Sequence, residues 1–145
     1  SSVSEEASAE VRTMAKALLT ETVEKLGTEL QWGWDERWNS ALMVLQGEEG
    51  QAFLLKLADV FGTMWTHENI ATADQGVQDL AQNMGGLRAG QKLYATAIED
   101  GAIMYAASWP WVGNSHLSIR IGIYGGDHHL SVRTIFAPDS LKPKS

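Results

Sequence analysis

Hydrophobic residues recur at helical spacing in three segments of the chain, and this spacing predicts three amphipathic helices. The first covers residues 4–26 and ends at Gly27, the next runs from about Glu49 to Trp65, and a shorter one spans roughly 73–84. Glycine directly after a helical run is typical of a C-terminal cap. The positions that carry the periodicity are Val11, Met14, Ala15, Leu18 and Leu26 in the first segment, Phe53, Leu54, Leu57, Val60, Phe61 and Met64 in the second, and Val77, Leu80, Ala81 and Met84 in the third.

Two further segments predict helices on other grounds. Asp35 is a suitable N-cap for a short helix that carries Trp38 and ends at Gly47. Residues from about 87 to 108 are rich in alanine and glycine and are followed by Pro110. Small side chains let neighbouring elements approach the backbone closely, so we expect this last helix to be the most buried one, packed against a sheet.

Between residues 116 and 136 the hydrophobic positions alternate, which predicts a C-terminal β-hairpin. A two-residue turn at Gly125-Gly126 places the apolar side chains of both strands on one face. Because two strands alone are only marginally stable, we expect a third, either residues 28–34 or a strand from another subunit. The alternating positions are Leu117, Ile119, Ile121 and Ile123 in the first strand and Leu130, Val132 and Phe136 in the second.

Together these elements predict an α+β fold, with about five helices packed on a small antiparallel sheet built around the C-terminal hairpin. Residues 1–145 are expected to form a single domain, because no stretch of the sequence resembles a linker and the length is typical of one domain. The segment from about residue 137 holds two of the three prolines and is expected to be a loose polar tail.

Composition and charge exclude several classes of partner and chemistry. The chain has no cysteine, which rules out disulfides, thiolate metal sites and a cysteine nucleophile. The formal net charge is −7 and no basic cluster occurs, so we expect no nucleic-acid partner. No apolar run approaches the length of a membrane span, so no membrane insertion is expected. The compartment stays open, with the cytoplasm slightly favoured.

The residues beside the Gly-Gly turn are the first candidates for chemistry. In the predicted hairpin, Asp127 and His129 share one face while His128 points to the other, so the two imidazoles diverge. A metal would need a third ligand from elsewhere, such as His67, Glu68 or His116, and no spaced ligand motif is present. The favoured interpretation is that the aspartate supports the turn and the histidines are polar residues at a strand end, so no metal and no cofactor are assigned.

Tryptophan is the second candidate, because six occur in the chain and five of them fall in two short clusters. Surface indoles stack on sugars or anchor protein interfaces, whereas buried ones fill the ends of a small core. Burial is the favoured interpretation, followed by an interface and then by a ligand groove. The five candidate interaction or ligand-binding residues are Trp32, Trp34, Trp38, Trp109 and Trp111.

Three functional hypotheses follow. The first is a non-enzymatic protein-interaction or assembly domain that binds a protein partner or self-associates, since no catalytic residue set or nucleotide-binding motif is found. The second is a module that binds a carbohydrate or a flat hydrophobic molecule in a groove lined by Trp32, Trp34, Trp109 and Trp111. The third is a metal-dependent or acid–base enzyme built on Asp127, His129 and either His67 or His116.

Overall fold

The computed structural model describes residues 2–141, with side chains from residue 9 onward. Within this part of the chain the fold is α+β, as the sequence predicts, with four α-helices and one six-stranded antiparallel sheet. The helices are α1 (Ser2–Leu26), α2 (Gly47–Phe61), α3 (Gln75–Asn83) and α4 (His129–Phe136), and the strands are β1 (Gly33–Asp35), β2 (Ser40–Gln46), β3 (Met64–Trp65), β4 (Lys92–Ala97), β5 (Ile103–Pro110) and β6 (His116–Tyr124). The strand order is β1-β2-β6-β5-β4-β3.

Three helices cover one face of the sheet, which we call the helix face. Helices α1, α2 and α4 pack on one another and on β2, β4 and β6 there. Alternate strand residues point into this layer because successive side chains of a strand face opposite sides. The largest part of the core lies here and includes Leu19, Leu26, Ala41, Met43, Phe53, Leu57, Tyr94, Met104, Ala106, Ile119, Ile121, Val132 and Phe136.

The opposite side of the sheet, which we call the second face, carries a smaller core. Helix α3 contributes Leu80, Ala81 and Met84 to it. The strand residues of this layer are those that alternate with the helix-face set, namely Leu93, Ile103, Tyr105 and Ala107, and Trp38, Trp65 and Trp109 pack at its margin.

The three helices with clear amphipathic periodicity form where the sequence predicts them. Helix α1 ends at the predicted cap, where Gly27 has a φ of 128° and its N–H donates to the carbonyl oxygen of Val23 at 3.0 Å. Helix α2 ends a few residues before the predicted Trp65, at Gly62, whose φ is 84°. No helix within residues 2–141 is both long and apolar enough to cross a membrane.

The predicted hairpin over residues 116–136 is wrong in its second half. Strand β6 forms, but both of its edges are occupied, by β2 on one side and β5 on the other, so the following segment has no edge to pair with. Residues 129–136 instead form α4, which packs on α1, β2 and β6 and leaves Leu130 exposed. Its buried residues do not alternate: Ser131 and Val132 are adjacent, and Phe136 lies about one helical turn after Val132.

The predicted alanine-rich helix over residues 87–108 is also wrong, because the segment contains the β4–β5 hairpin. The chain turns at Asp100 and Gly101, with φ values of 68° and 79°, and the N–H of Ile98 donates to the carbonyl oxygen of Ala102 at 2.7 Å. Strand β5 lies inside the sheet with both faces covered, so its residues read as an unbroken apolar run. Such a run cannot be told from a buried helix by periodicity.

The short helix predicted after Asp35 is replaced by β2, and the helix count falls from about five to four within the described residues. Asp35 does not cap a helix; its carboxylate accepts hydrogen bonds from the distant Arg120. The segment 28–34 does supply a strand, as proposed, since Gly33–Asp35 forms β1. Its partner is β2 rather than the C-terminal hairpin.

The segment predicted to be a loose tail from about residue 137 begins with a 3-10 turn over Pro138–Leu141. Arg133 of α4 donates from Nε to the hydroxyl of Ser140 at 3.0 Å and from Nη2 to its carbonyl oxygen at 3.1 Å. These bonds attach the start of the tail to α4. Residues 142–145 lie outside the described part of the chain.

Candidate functional site

The five candidate tryptophans are divided between the two faces of the sheet. Trp32 is buried on the helix face, 6.1 Å from the ring of Phe53 and 5.5 Å from that of Phe136. Trp34 lies on the same side, with the guanidinium of Arg133 5.5 Å from its ring centre. Trp38 and Trp109 pack on the second face. Since Trp109 is on the opposite side of the sheet from Trp32 and Trp34, the structure does not bring together the four rings proposed to line one groove.

On the second face, two of the indoles are in a tilted contact beside a charged pair. The rings of Trp38 and Trp109 are 6.3 Å apart, and the guanidinium of Arg120 lies 4.8 Å from the centre of the Trp109 ring. Arg120 in turn donates from Nη2 to Oδ2 of Asp35 at 3.1 Å. A delocalised cation is attracted to the face of an indole, so this arrangement holds Trp109 in a fixed position.

Next to these rings, residues of three neighbouring strands lie side by side on the second face; Val44 among them is exposed, whereas Ser118 is buried. Val44, Ser118 and Trp109 are directly opposite one another on β2, β6 and β5, and they share the second face. Trp111 follows β5; its Nε1 donates to Oγ of Ser118 at 2.8 Å, and its ring lies 4.7 Å from that of His116. We call this surface the open face; it comprises Leu42, Val44, Gln46, Trp109, Trp111, His116, Ser118 and Arg120.

The exposure of the open face is unusual for side chains of this kind. Val44 is 42% exposed and Trp111 47% exposed, although both are large and apolar, and the adjoining Val112 is fully exposed. Scattered apolar residues on a surface are ordinary, whereas contiguous ones mark interaction sites. The open face is therefore the part of the tryptophan clusters that favours an interaction surface.

The residues at and after the Gly125-Gly126 turn form the second candidate region, a cavity of ≈ 150 Å³ at the start of α4. Because α4 replaces the predicted strand, the two histidines do not diverge across a ribbon. His128 precedes the helix and is buried, and its Nδ1 has no hydrogen-bond partner within residues 2–141. His129 is half-exposed, and its Nδ1 lies 3.1 Å from Oδ1 of Asp127. Both histidines line the cavity.

No group of three His, Cys, Asp or Glu side chains that could hold a metal ion occurs among the residues that the structure describes. Asp127 and His129 are in contact, although the strand whose shared face was the basis for pairing them does not form, and the proposed third ligands lie in other contacts. His67 is beside Glu68 at 4.0 Å, and His116 stacks on Trp111. The metal-dependent hypothesis therefore has two of its proposed ligands in contact and no third beside them.

Several residues of these two regions are not singled out by the sequence. Asp35 and Arg120 are separated by 85 positions, and no local pattern links them. Tyr105 is buried beside both, and burial raises the pKa of its phenol to about 12. The one sequence signal that could have indicated Arg120 is its place within a strand of alternating isoleucines, where a charged side chain requires a partner.

Comparison with family models, with curated proteins and with solved structures finds no match for this chain, so its function is inferred from the geometry of the open face and of the cavity.

Proposed function

We propose that this chain is a non-enzymatic assembly domain that associates reversibly with a second copy of itself through the open face. The observation that carries the proposal is a pair of half-exposed apolar side chains, Val44, which lies directly opposite Ser118, and Trp111, whose indole is bonded to the same Ser118. Tryptophan and arginine are enriched among the residues that dominate binding at protein interfaces.

The position of Trp111 favours an anchoring role. Its indole N–H is already bonded to Ser118 and one side of its ring rests on His116, so the side chain is held in one orientation before any partner arrives. Fixing a side chain in advance removes part of the entropy loss of association. An anchor of this kind contributes more to affinity than a mobile side chain of equal area.

Charge favours a second copy as the partner. The chain carries a formal net charge of −7, so two copies repel each other over most orientations. The open face contains no acidic residue of its own, and the adjacent Asp35 is paired with Arg120. Repulsion is therefore reduced when the two open faces meet, and a two-fold axis places the same patch on both sides of such a contact.

The area of the open face sets the expected affinity of the dimer. Three strands about 4.8 Å apart and five residues rising about 3.3 Å each give roughly 250 Å² of flat sheet. A stable complex buries about 800 Å² on each partner. The open face with Trp111 and Val112 is therefore expected to give a weak, concentration-dependent dimer rather than an obligate one.

Sedimentation velocity from micromolar to millimolar protein tests the proposal. We expect the average mass to rise with concentration, and Val44→Glu and Trp111→Ala to raise the dimer dissociation constant by about tenfold or more, which corresponds to about 1.4 kcal/mol. Leu55→Glu is the matched control, because Leu55 is a 75% exposed apolar residue on the helix α2.

Two results would overturn the proposal. One is a monomer at every concentration up to the millimolar range. The other is an equal loss of association in Leu55→Glu and Val44→Glu, which would show that added negative charge, rather than the open face, governs the contact.

A further inference from the structure

A larger cavity, of ≈ 500 Å³, lies between α1 and α4, and we call it the α1–α4 cavity. Helix α1 contributes Arg12 and Lys16 to its wall, and the first turn of α4 contributes Leu130 and Ser131. Cavities of this volume are typical of sites for small organic ligands. None of these residues belongs to the open face, so a ligand of this cavity does not depend on self-association.

Arg12 and Lys16 are two cations one helical turn apart without an acid beside them. Both residues are exposed, and neither is in an ion pair within the described part of the chain. Like charges at positions i and i+4 of a helix repel each other and slightly destabilise it. In a chain of net charge −7, the pair gives one wall of the cavity a positive charge that no described acid neutralises.

Ser131 brings a hydroxyl without a partner to the same cavity. It is only 7% exposed, yet its hydroxyl forms no hydrogen bond within residues 2–141. Unlike Nδ1 of His128, this hydroxyl is not among the unbonded polar atoms that are closed off from solvent. Since Ser131 lines the α1–α4 cavity, a ligand there can bond to it. Such a bond satisfies a largely buried polar group, which favours binding.

The backbone of this turn adds further donors. The first bond of α4 runs from the N–H of Val132 to the carbonyl oxygen of His128, so the N–H groups of His129, Leu130 and Ser131 have no backbone acceptor within residues 2–141. The N-cap residue His128 forms no side-chain bond to them either. The helix dipole favours negative charge at this end. Backbone, hydroxyl and cations therefore all favour an anionic ligand.

The rest of the wall has one acid and an apolar part. The carboxylate of Asp127 is 79% exposed, and its Oδ1 lies 3.1 Å from Nδ1 of His129. Two permanent cations thus stand against one carboxylate that has a contact of its own. Leu130, which is 62% exposed, and Ile135 add apolar surface to the wall. An anion with an apolar part fits this combination.

We propose that the α1–α4 cavity binds the phosphate monoester of a small apolar alcohol. The phosphoryl oxygens accept hydrogen bonds from Ser131 and from the first N–H groups of α4, and Arg12 and Lys16 neutralise their charge. The apolar part of the ester packs on Leu130 and Ile135. A phosphate monoester carries close to two negative charges at neutral pH, which matches two cations better than a carboxylate does. Arginine, lysine and helix N-termini are all suited to phosphate groups.

Amide correlation NMR on ¹⁵N-labelled protein, with phenyl phosphate as the probe, tests this proposal. Phenyl phosphate, inorganic phosphate, benzoate and benzyl alcohol are titrated separately at neutral pH and constant ionic strength, with chloride as the balancing anion. We expect saturable shifts of the Leu130 and Ser131 amide signals with phenyl phosphate. Inorganic phosphate should bind more weakly because it lacks the apolar part, benzoate because it carries less charge, and benzyl alcohol should not bind.

Variants give a second readout. Lys16→Met removes one cation at similar length and is expected to weaken the binding of phenyl phosphate about tenfold. Ser131→Ala should weaken it about fivefold, the value of one ordinary hydrogen bond. Lys56→Met is the matched control, because Lys56 is an exposed lysine of α2 outside the cavity wall and its loss changes the net charge equally.

The stability of the unliganded protein separates a binding role of Lys16 from a structural one. Because Arg12 and Lys16 repel each other, Lys16→Met should leave the thermal unfolding midpoint unchanged or slightly higher. A structural role would instead lower it.

Several results would overturn the proposal, and two of them need only the unsubstituted protein. One is that phenyl phosphate leaves the Leu130 and Ser131 signals unchanged at tens of millimolar, or shifts them linearly without saturation. Another is that benzoate or benzyl alcohol binds as tightly as phenyl phosphate. The third is that Lys16→Met and Lys56→Met bind phenyl phosphate with equal affinity.

Discussion

Arg120 and Asp35, 85 positions apart in the sequence, form an ion pair that ties the β1–β2 hairpin to the central strand β6. Nε and Nη2 of the arginine donate to the same carboxylate oxygen, at 3.3 and 3.1 Å, and each side chain is 17% exposed. The guanidinium also contacts the Trp109 ring. This pair therefore fixes both the edge of the sheet and the position of an indole of the open face.

Because of these contacts, removing the carboxylate of Asp35 should destabilise the fold. Asp35→Ala leaves Arg120 largely buried and unpaired, and we expect the free energy of unfolding to fall by about 2–3 kcal/mol in urea denaturation. Asp35→Ala combined with Arg120→Met should lose less than the sum of the two single changes. Glu36→Ala, at a neighbouring acid whose side chain is 83% exposed, is the control and should change stability by about 0.5 kcal/mol or less. Equal losses at positions 35 and 36 would contradict a structural role for the pair.

Gly122 and Tyr105 face each other on neighbouring strands, and the phenol lies over the glycine. A Cβ on Gly122 would stand 2.8 Å from the Tyr105 hydroxyl oxygen and 3.0 Å from the ring carbon that bears it. Gly122→Ala should therefore displace a buried ring and reduce stability by about 1–3 kcal/mol in thermal or urea unfolding. In Gly33→Ala, on the edge strand β1, the new Cβ meets its nearest neighbour at an ordinary 3.5 Å, so a loss as large as that at Gly122 would contradict the packing described here.

The raised pKa of Tyr105 also predicts a change in the free energy of unfolding at alkaline pH. Burial, the largest cause, and the Asp35 charge raise the pKa of its phenol from 10.0 to about 12, against an opposing effect of Arg120. Above pH 10 the unfolded chain releases this proton while the folded protein keeps it, so the contribution is complete below pH 10 and is lost as the pH rises toward 12. The loss amounts to about 2–3 kcal/mol. Tyr105→Phe cannot show this loss, and pH profiles of unfolding free energy that run parallel in the two proteins would refute the assignment.

The helices that the sequence predicts correctly are those with one face in water. Leu54 and Leu57 of α2 are buried while Leu55 is exposed, so the periodicity is visible in the sequence. Strand β5 shows no such contrast between buried and exposed positions. One of its sides is covered by α3 and its neighbours, and the other side is covered by the helix-face layer. For α4, the alternation of Leu130 and Val132 is compatible with a strand until the pairing of β6 with β2 and β5 is known.

The site could be predicted only in part for a similar reason. The tryptophan clusters are visible in the sequence, but the face on which each ring lies depends on strand register. Trp34 lies opposite Ala41 on the helix face, whereas Trp109 lies opposite Ser118 on the second face. The cavity around His128 depends on where α3 ends, which places Asn83 beside it. No local pattern encodes such long-range placement.

Substitution of Gly101, in the turn between β4 and β5, distinguishes the observed hairpin from the helix predicted over residues 87–108. The two structures predict changes in stability of opposite sign. Gly101 has a φ of 79°, and a Cβ added there would meet no atom within 4 Å, so any change in stability comes from the backbone conformation alone. In this left-handed conformation Gly101→Ala should reduce the free energy of unfolding by about 1 kcal/mol, with a smaller loss for Gly101→Asn and a larger one for Gly101→Val. In the interior of a helix, Gly→Ala would instead stabilise the protein by about 1 kcal/mol. Urea denaturation of the three variants measures the order, and a gain in stability for Gly101→Ala would contradict a left-handed turn at this position.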